Sequence, residues 1–295
     1  MRIREPWPQA RSRQRQREFG PLFQAVPPGG LGDALEIGGG DGFVASLIAA
    51  TCRIFISSDS YMRKAAAGTE AIPRLVCDAT RLPFADASFD FIFSSSVLEH
   101  IRDRRATYAE MARCLRPSGL MIHVMPSRTW KLLQLIFYYP NLLIGGLDFA
   151  LDRLTAPSPK KLKAGGATDA TEKKAVSRWE DEVRFPSWRQ ILRGILPTVH
   201  GEYPGHLSEW RGFGRAAWAD EFRAAGFTVH RVIPLPLYSG YGFGLDGLRR
   251  LGEARGWSSH NAFVLSRAGE NPERARWFTV PERAGTGSPA RSPAS

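Results

Sequence analysis

The stretch Ala34-Leu35-Glu36-Ile37-Gly38-Gly39-Gly40-Asp41-Gly42 decides the fold of this chain. It begins as an apolar run that contains one carboxylate, and it continues with glycines at alternate positions. A helical pattern follows directly, with Val44, Leu47 and Ile48 on one face. The sequence therefore predicts a strand that turns tightly into a helix, at a bend where the lack of a Cβ lets a ligand approach the backbone.

The ligand expected at this bend is a nucleoside that carries a positive charge. A dinucleotide turn needs Gly-x-Gly-x-x-Gly, with the third glycine just inside the helix. Phe43 occupies that third position, so a pyrophosphate cradle is disfavoured. What remains is the acidic strand end at Glu36 beside a glycine turn, and this combination suits a nucleoside with a cationic part.

A second acidic strand end follows. Residues 53–58 are predicted to form a strand, and Asp59 stands at its tip. A carboxylate in this position can accept two hydrogen bonds from a ribose diol. Asp41 is the alternative acid for this role, and Asp59 is preferred.

Several ordered motifs follow these strand ends. They are Cys77-Asp78-Ala79, Leu82-Pro83-Phe84, Phe89-Asp90, Leu98-Glu99-His100, and the run from Glu110 to Gly119. With them, residues 31–126 resemble the class I S-adenosylmethionine (SAM) dependent methyltransferases, within them the type 11-like group with a Leu-Pro-Phe…Phe-Asp…Leu-Glu-His signature. The chain departs from the common pattern at Gly39 and Ser118. The resemblance is specific for fold and cofactor and weak for the substrate.

The resemblance implies a role for each residue of a cofactor site. Glu36 would help to hold the methionine end of SAM, Asp59 the ribose, and Asp78 the adenine amine. The remaining expected contacts are the glycine turn (Gly38, Gly39, Gly40, Gly42), the backbone of Ala79, and Ser94 and Ser95 under the sulfonium. A turn-forming role for Asp78 and an ordinary strand-end role for the serines stay open as alternatives.

Catalytic residues are harder to predict, because positioning alone can supply much of the rate of methyl transfer. His100 follows the fourth strand, and His200 belongs to a later cluster with Glu202, His206 and Glu209. Both histidines are candidate bases, with structural roles as the alternative. Tyr203, Tyr238 and Tyr241 would help to shape the acceptor pocket. The spacing matches no standard metal site, so no metal is predicted.

Alternation of strand and helix patterns predicts an α/β fold with a Rossmann-like, open, mostly parallel seven-stranded sheet and helices on both faces. The family ends its sheet with a strand pair, one member of which is antiparallel. Predicted strands are 34–38, 53–58, 74–77, 89–95, 119–125, 227–235 and 262–266. Predicted helices are 42–51, 61–67, 104–115 and 245–255, with one more from Ala216 to Gly226.

The predicted domain organisation has a single folded unit. Residues 1–30 are interpreted as a basic flexible arm with room for one short helix near Phe19 to Ala25, and 269–295 as a disordered tail. The methyltransferase domain would span 31–268, with an acceptor-binding lid at 127–215. Within that lid, the apolar stretch from Trp130 to Leu151 predicts a helical hairpin broken near Pro140, lying either on the domain or in a membrane interface.

Bulk properties limit the function. The chain has 295 residues, a net charge of +11 and a pI near 10.0, which favours anionic surroundings such as nucleic acid or an acidic membrane face. Its three cysteines show no paired spacing. With no secretory signal and no spanning segment in the pattern, a cytoplasmic location is expected, with peripheral contact at an inner membrane as an option.

The sequence thus predicts methyl transfer from SAM to a small or lipid-linked acceptor, with oxygen as the first choice of atom and carbon or nitrogen as alternatives. A nucleic-acid-modifying enzyme is disfavoured, because the fourth strand is followed by Ser94-Ser95-Ser96-Val97 and not by a base-flipping motif. A non-catalytic SAM-binding domain stays open. The sequence does not predict the oligomeric state.

Overall fold

The computed structural model describes residues 7–155, 197–238 and 245–279. The strands are β1 (Asp33–Ile37), β2 (Ile54–Asp59), β3 (Arg74–Val76), β4 (Phe89–Ser95), β5 (Leu115–Pro126), β6 (Phe227–Pro234) and β7 (His260–Arg267). They form one seven-stranded sheet in the order β3-β2-β1-β4-β5-β7-β6. The first five strands pair in parallel, and β7 runs antiparallel to both β5 and β6. The predicted open, mostly parallel sheet is confirmed.

The helices are α1 (Trp7–Phe23), α2 (Phe43–Ile48), α3 (Arg104–Cys114), α4 (Arg128–Thr155), α5 (His206–Gly212), α6 (Arg215–Ala224) and α7 (Asp246–Ala254). Short 3-10 turns lie at Ala49–Thr51, Leu98–His100 and Glu273–Trp277. Two apolar clusters cover the two faces of the sheet. Alternate residues of a strand point to opposite faces, so Phe91 and Phe93 belong to one cluster and Ile92 to the other.

The predicted helix at 61–67 is wrong. This segment has no regular structure, and its backbone is engaged elsewhere. The Ala66 amide donates to the carbonyl of Asp41, and the Arg74 guanidinium donates to the carbonyl of Arg63. The segment is short, and an isolated helix of that length gains too few internal hydrogen bonds to compete.

The interpretation of residues 1–30 as a flexible arm is wrong for 7–23, which form α1. Phe19 and Phe23 are buried in the first apolar cluster. The ring of Phe19 meets that of Phe93 edge to face, with centroids 5.5 Å apart. Burial of two aromatic rings outweighs the polar, arginine-rich composition on which the sequence interpretation relied. Residues 1–6 lie outside the described part of the chain.

The expected disordered tail also begins later than predicted. The turn Glu273–Trp277 packs on the domain, and Phe278 is fully buried in the same cluster as α1. Arg274 donates to the carbonyl of Gly30 at 3.1 Å and to a carboxylate oxygen of Asp90 at 3.3 Å. Residues 269–279 are therefore part of the fold, and 280–295 lie outside the described residues.

The predicted helical hairpin after β5 is wrong as well, because α4 is one continuous helix that contains Pro140. The chain divides into two compact units, with 138–198 in the smaller one and 3–137 and 199–295 in the larger one that carries the sheet. Most of the lysine-rich segment after α4 lies outside the described residues. Among the helices that the structure describes, none is long and apolar enough to cross a membrane.

Candidate active site

The glycine turn after β1 is fixed by three hydrogen bonds to the end of β2. The amides of Gly38 and Gly39 donate to the carbonyl of Ser58 at 2.7 and 2.9 Å. The amide of Gly40 donates to Asp59 Oδ2 at 2.8 Å. Gly38 and Gly40 have φ values of +77° and +60°, in the left-handed region that glycine adopts at low cost. The turn after β1 is thereby tied to the end of β2.

The three positions of the turn differ in what surrounds them. A Cβ on Gly38 would lie 2.2 Å from a methyl group of Val97, and one on Gly39 would lie 1.8 Å from Ser57 Oγ. A Cβ on Gly40 would meet no protein atom within 4 Å. Protein packing therefore requires glycine at 38 and 39, whereas Gly40 faces empty space.

Glu36 lies under this turn and is buried. Its Oε2 accepts a hydrogen bond from Ser57 Oγ at 2.6 Å. Burial raises the pKa of Glu36 to about 7. The Ser57 hydrogen bond lowers this pKa, and the nearby carboxylates of Asp59 and Asp41 raise it. A cation placed nearby would favour the ionised form of Glu36.

A cavity of about 810 Å³ opens over the carboxyl ends of β1, β2 and β4; we call it the inner cavity. It is lined by most of the predicted cofactor residues, namely Glu36, Gly38, Gly39, Gly40, Asp59, Asp78 and Ala79, together with Ser95 and His100. Carboxyl ends of parallel strands meet at one edge of the sheet, which is where open α/β folds bind ligands. Three predicted residues, Gly42, Ser94 and His200, do not line it.

Ser94 and Ser95 have different surroundings, because neighbours on a strand point to opposite faces. Ser94 is fully buried, with its Oγ 2.8 Å from Nδ1 of His123. The expectation that Ser94 lies under the sulfonium is therefore wrong. Ser95 lines the inner cavity and accepts a hydrogen bond from Arg15 Nη1 at 3.1 Å.

Gly42 has a structural place in the turn and does not touch the cavity. It has a φ of +82° and directly precedes α2, and its amide donates to the carbonyl of Gly39 at 2.9 Å. The position demands glycine for its backbone conformation alone. The prediction that Gly42 contacts the cofactor is corrected accordingly.

Asp78 has the turn-forming role that the sequence left open as an alternative, and it also lines the inner cavity. Its Oδ1 accepts hydrogen bonds from the amide and the hydroxyl of Thr80, each at 2.8 Å. These two bonds lower the pKa of Asp78. The carboxylate is therefore held ionised at the rim of the inner cavity, where an amine donor can reach its second oxygen.

Sequence reasoning missed the contribution of α1 to this site. Arg11 and Arg15 line the inner cavity, and Arg11 Nη1 lies 3.6 Å from Asp41 Oδ2. The two arginines are four residues apart and so lie on the same helix face. That spacing is visible in the sequence. The arginines alternate with polar residues, however, and this pattern is typical of a solvated arm.

A second missed residue is Ser96, which follows β4 and lines the inner cavity. Its φ is +54°, in the left-handed region that serine rarely adopts. Its buried Oγ has no hydrogen-bond partner among the described residues. A strained residue with an unsatisfied hydroxyl at the end of a central strand is typical of a ligand-binding position.

The two candidate bases lie against each other at the edge of the cavity. His100 lines the inner cavity, and the ring of His200 stacks edge to face on it, with centroids 4.4 Å apart. Burial lowers the pKa of both histidines. The pKa of His200 falls to about 4, because His100 and Lys131 lower it further. Both imidazoles are therefore neutral near pH 7.

The rest of the predicted cluster is dispersed. Glu202 pairs with Arg102 on the surface, at 3.3 Å. Glu209 is buried and pairs with the equally buried Lys131 of α4 at 2.7 Å, and His206 lies 3.8 Å from the same carboxylate. Tyr203 packs on Phe213, with ring centroids 5.4 Å apart. None of the four predicted residues Glu202, Tyr203, His206 and Glu209 lines the inner cavity. Tyr241 lies outside the described residues.

A second cavity, of about 370 Å³, lies on the other side of α1; we call it the outer cavity. Apolar side chains from α4, α7 and the segments beside α7 line it, and arginines surround them. The lining includes Leu133, Ile136, Phe137, Leu237, Tyr238, Leu248, Leu251 and Trp257, with Arg13, Arg17, Arg249 and Arg255. Its walls are suited to an apolar chain with an anionic group.

The residues of the inner cavity fit SAM. Gly40 leaves open space beside the turn, Asp59 and Asp78 offer carboxylate oxygens at neighbouring strand ends, and Ser96 offers an unpartnered hydroxyl. The acidic floor at Glu36 and Asp59 favours a ligand with a positive charge.

Comparison with known proteins gives the same assignment for the core. Residues 35–123 match a family described as a methyltransferase domain. A probable SAM-dependent methyltransferase of Mycobacterium tuberculosis is 36% identical over 99 residues, which cover 32% of this chain and 36% of that protein. A demethylmenaquinone methyltransferase of Mycobacterium sp. (strain KMS) is 36% identical over 95 residues, or 32% of this chain and 41% of that protein. The chain thus matches about two fifths or less of the length of these relatives.

Among solved structures, an S-adenosylmethionine-dependent methyltransferase from Mesorhizobium loti is 16% identical, with a TM-score of 0.45 over 84% of this chain and 96% of that one. The matched segment 35–123 contains the glycine turn, Asp59, Asp78 and His100. Residues 35–123 are therefore similar to a methyltransferase domain, and one relative of the chain bears the name of a probable SAM-dependent enzyme.

Proposed function

We propose that this protein transfers the methyl group of SAM to a small or lipid-linked acceptor, with a hydroxyl oxygen as the atom methylated. The observation that carries the proposal is the open space at Gly40, bounded by the strand-end acids Asp59 and Asp78. Bound SAM supplies a methyl group on a cationic sulfur: the C–S bond breaks, a C–O bond forms, the electron pair stays on sulfur, and the acceptor releases one proton.

The chain's own residues contribute position and charge. The hydrogen bond from the Gly40 amide to Asp59 fixes the turn, so the ribose-binding carboxylate and the backbone stay in one arrangement. The acidic floor at Glu36 attracts the positive end of the cofactor. Proton removal falls to the neutral imidazoles of His100, which lines the inner cavity, and of His200, which stacks against it.

The lipid-linked part of the proposal rests on the outer cavity. Its apolar lining and its arginines suit a hydrocarbon chain that bears an anionic group. Some relatives bear the name demethylmenaquinone methyltransferase, so a quinone-type acceptor with an apolar tail belongs to the set to be tested. Peripheral contact with an anionic membrane would follow from the same features.

The test uses the full chain with isotopically labelled SAM and two acceptor sources, a lipid extract and a soluble small-molecule extract of bacterial cells. Calorimetry first measures SAM binding. Mass spectrometry then identifies which molecule gains the methyl group and at which atom. We expect S-adenosylhomocysteine to form with an extract and the label to appear on a hydroxyl oxygen.

Two variants separate the parts of the proposal. Leu248→Glu places a charge in the outer cavity, and Leu207→Glu is its matched control, since both side chains are exposed, at 64% and 60%, but Leu207 lies outside that cavity. Methylation of the lipid extract should fall in the first variant only. SAM binding without turnover on either extract would favour a non-catalytic sensor, and label transferred to added cellular nucleic acid would overturn the acceptor class.

A further inference from the structure

We propose that Glu99, His100 and His200 form a zinc site at the edge of the inner cavity. Each of the three offers one ligand atom, and these atoms lie within 4.8 Å of one another. Glu99 Oε1 and His200 Nε2 are 3.9 Å apart. Two imidazoles and one carboxylate, with a position left for substrate or water, are a set that catalytic zinc uses in proteins. The role assigned to this site rests on the proposed function, whereas the site itself does not.

The strongest observation is the state of Glu99. Its side chain is fully buried, and neither carboxylate oxygen has a hydrogen-bond partner among the described residues. A buried carboxyl group without partners is costly to a fold. A bound cation would satisfy both the charge and the lone pairs of this group.

The loop that carries His200 is held against Glu99 through the backbone. The Glu202 amide donates to the Glu99 carbonyl at 2.8 Å. A Cβ on Gly201 would lie 2.4 Å from that same carbonyl oxygen, and Gly201 has a φ of +73°. Only glycine permits this approach. The contact brings His200 next to residues that precede it by about a hundred positions, so the site was hidden from motif spacing.

The second histidine is supported on its other side. Trp130 lies against His200, with ring centroids 4.9 Å apart, and Phe213 is 6.5 Å away. These rings restrict the orientation of the imidazole. Zinc bonds of about 2.0–2.2 Å require closer ligand atoms than the present spacing, so the three side chains would move towards one another on binding. His100 faces the inner cavity, and the open coordination position would face the acceptor.

In methyl transfer, the ion would act on the acceptor oxygen. A hydroxyl held at the open position would release its proton to water more readily, because the cation would stabilise the resulting negative charge. That oxygen would then be the nucleophile for the methyl group, whose bond to sulfur would break with the electron pair left on sulfur. With the ion bound, the histidines would serve as ligands and the proton would pass to water; without it, the imidazoles keep the role of base proposed above.

The experiment measures zinc binding by the full chain after dialysis against a chelator, by competition with a chromophoric chelator and by metal analysis. The ligand variants are Glu99→Gln, which keeps the shape of the side chain, and His200→Ala. The control is His206→Ala, a histidine of the same segment that is not part of the three-residue group. Thermal melts and SAM calorimetry on the same samples establish that each variant is folded.

We expect about one zinc ion per chain in the wild type and in His206→Ala. Affinity should fall by more than about tenfold in each ligand variant, since even partners of zinc ligands contribute that much. X-ray absorption at the zinc edge should show nitrogen and oxygen neighbours and no sulfur.

Absence of stoichiometric zinc binding in the wild type would overturn the site, as would equal binding by the ligand variants. Zinc binding without methyl transfer would leave the site standing and remove its catalytic role. Methyl transfer by protein that binds no zinc would remove the site while the proposed function stands.

Discussion

Glu18 of α1 and His260 of β7 are joined through Oε1 and Nδ1 at 3.0 Å, although they are 242 residues apart in the chain. Both side chains are buried. Burial alone would raise the pKa of Glu18, but His260 and then Arg15 outweigh it and hold the pKa at about 2. The contact ties the first helix to β7, the antiparallel strand between β5 and β6, and it fixes the helix face that carries Arg15.

Replacing Glu18 with alanine should destabilise the protein strongly. The substitution leaves His260 buried without its partner, and removal of one member of a buried pair costs about 3–5 kcal/mol. The free energy of unfolding is measured by urea titration. Arg223→Ala is the control, because Arg223 and Asp220 form an exposed pair and such pairs contribute about 0–1 kcal/mol. Similar losses in both variants would show that α1 does not depend on this contact.

Substitutions in the glycine turn should separate folding from cofactor binding. The side chain of Gly40→Val points into open space and should block SAM, whereas its β-branch at a φ of +60° strains the turn and should lower the melting temperature without preventing folding. Gly39→Ala places a Cβ against Ser57 Oγ, so it should lower the melting temperature. Thermal melts and SAM calorimetry on both variants are the measurements. Cofactor uptake by Gly40→Val at the wild-type level would refute the assigned position of the ligand.

Asp59→Ala should weaken SAM binding by about 1.5–3 kcal/mol, the contribution of hydrogen bonds to a charged group. The Gly40 amide loses its acceptor in the same variant, so the loss should exceed that of Asp78→Ala, which removes the adenine contact but only a local turn with Thr80 from the protein. Calorimetry gives both affinities. Unchanged affinity in Asp59→Ala would move the ribose site to another acid, with Asp41 as the next choice.

The buried carboxyl of Glu36 predicts a pH dependence of stability. Its pKa is about 7 in the folded protein, against 4.5 as the ordinary value. Between these values the folded state keeps a proton that the unfolded state has released. The free energy of unfolding should therefore decrease as pH rises from about 4.5 to 7.

Glu36→Gln should remove this part of the pH dependence, and the variant should gain stability relative to the wild type above pH 7. Urea titrations between pH 4.5 and 8 measure the difference. Glu99 has a pKa raised to about 8 by burial, so a residual trend of the same sign should persist in the variant. Parallel stability curves for wild type and variant would show that Glu36 is not buried as described.

The part of this site that the sequence predicts well is local. Glu36, the glycines and Asp59 lie at the ends of two consecutive strands, and strand–turn–helix patterns are encoded within about ten residues. The position of Ser94 was mistaken because a one-residue difference on a strand changes the face. Continuity of α4 through Pro140 also ran against the local signal, which favours a break.

Contacts between distant segments could not be predicted in this way. The helix pattern of α1 is weak. Its burial depends on contacts of Phe23 with Phe91, Phe93 and Phe278, which are 68 residues or more away in the chain. Likewise His200 meets Glu99 only because Gly201 reaches the Glu99 carbonyl. In both cases tertiary packing decides the structure, and no short motif carries that information.

The arginines of α1 face two ways. Arg11 and Arg15 border the inner cavity, and Arg13 and Arg17 border the outer one. Any shift of this helix that reshapes one compartment must reshape its neighbour. We expect occupancy of the two compartments to be coupled through this helix, and any such coupling has to be reciprocal: whatever an amphiphile does to the affinity for SAM, SAM does equally to the affinity for the amphiphile.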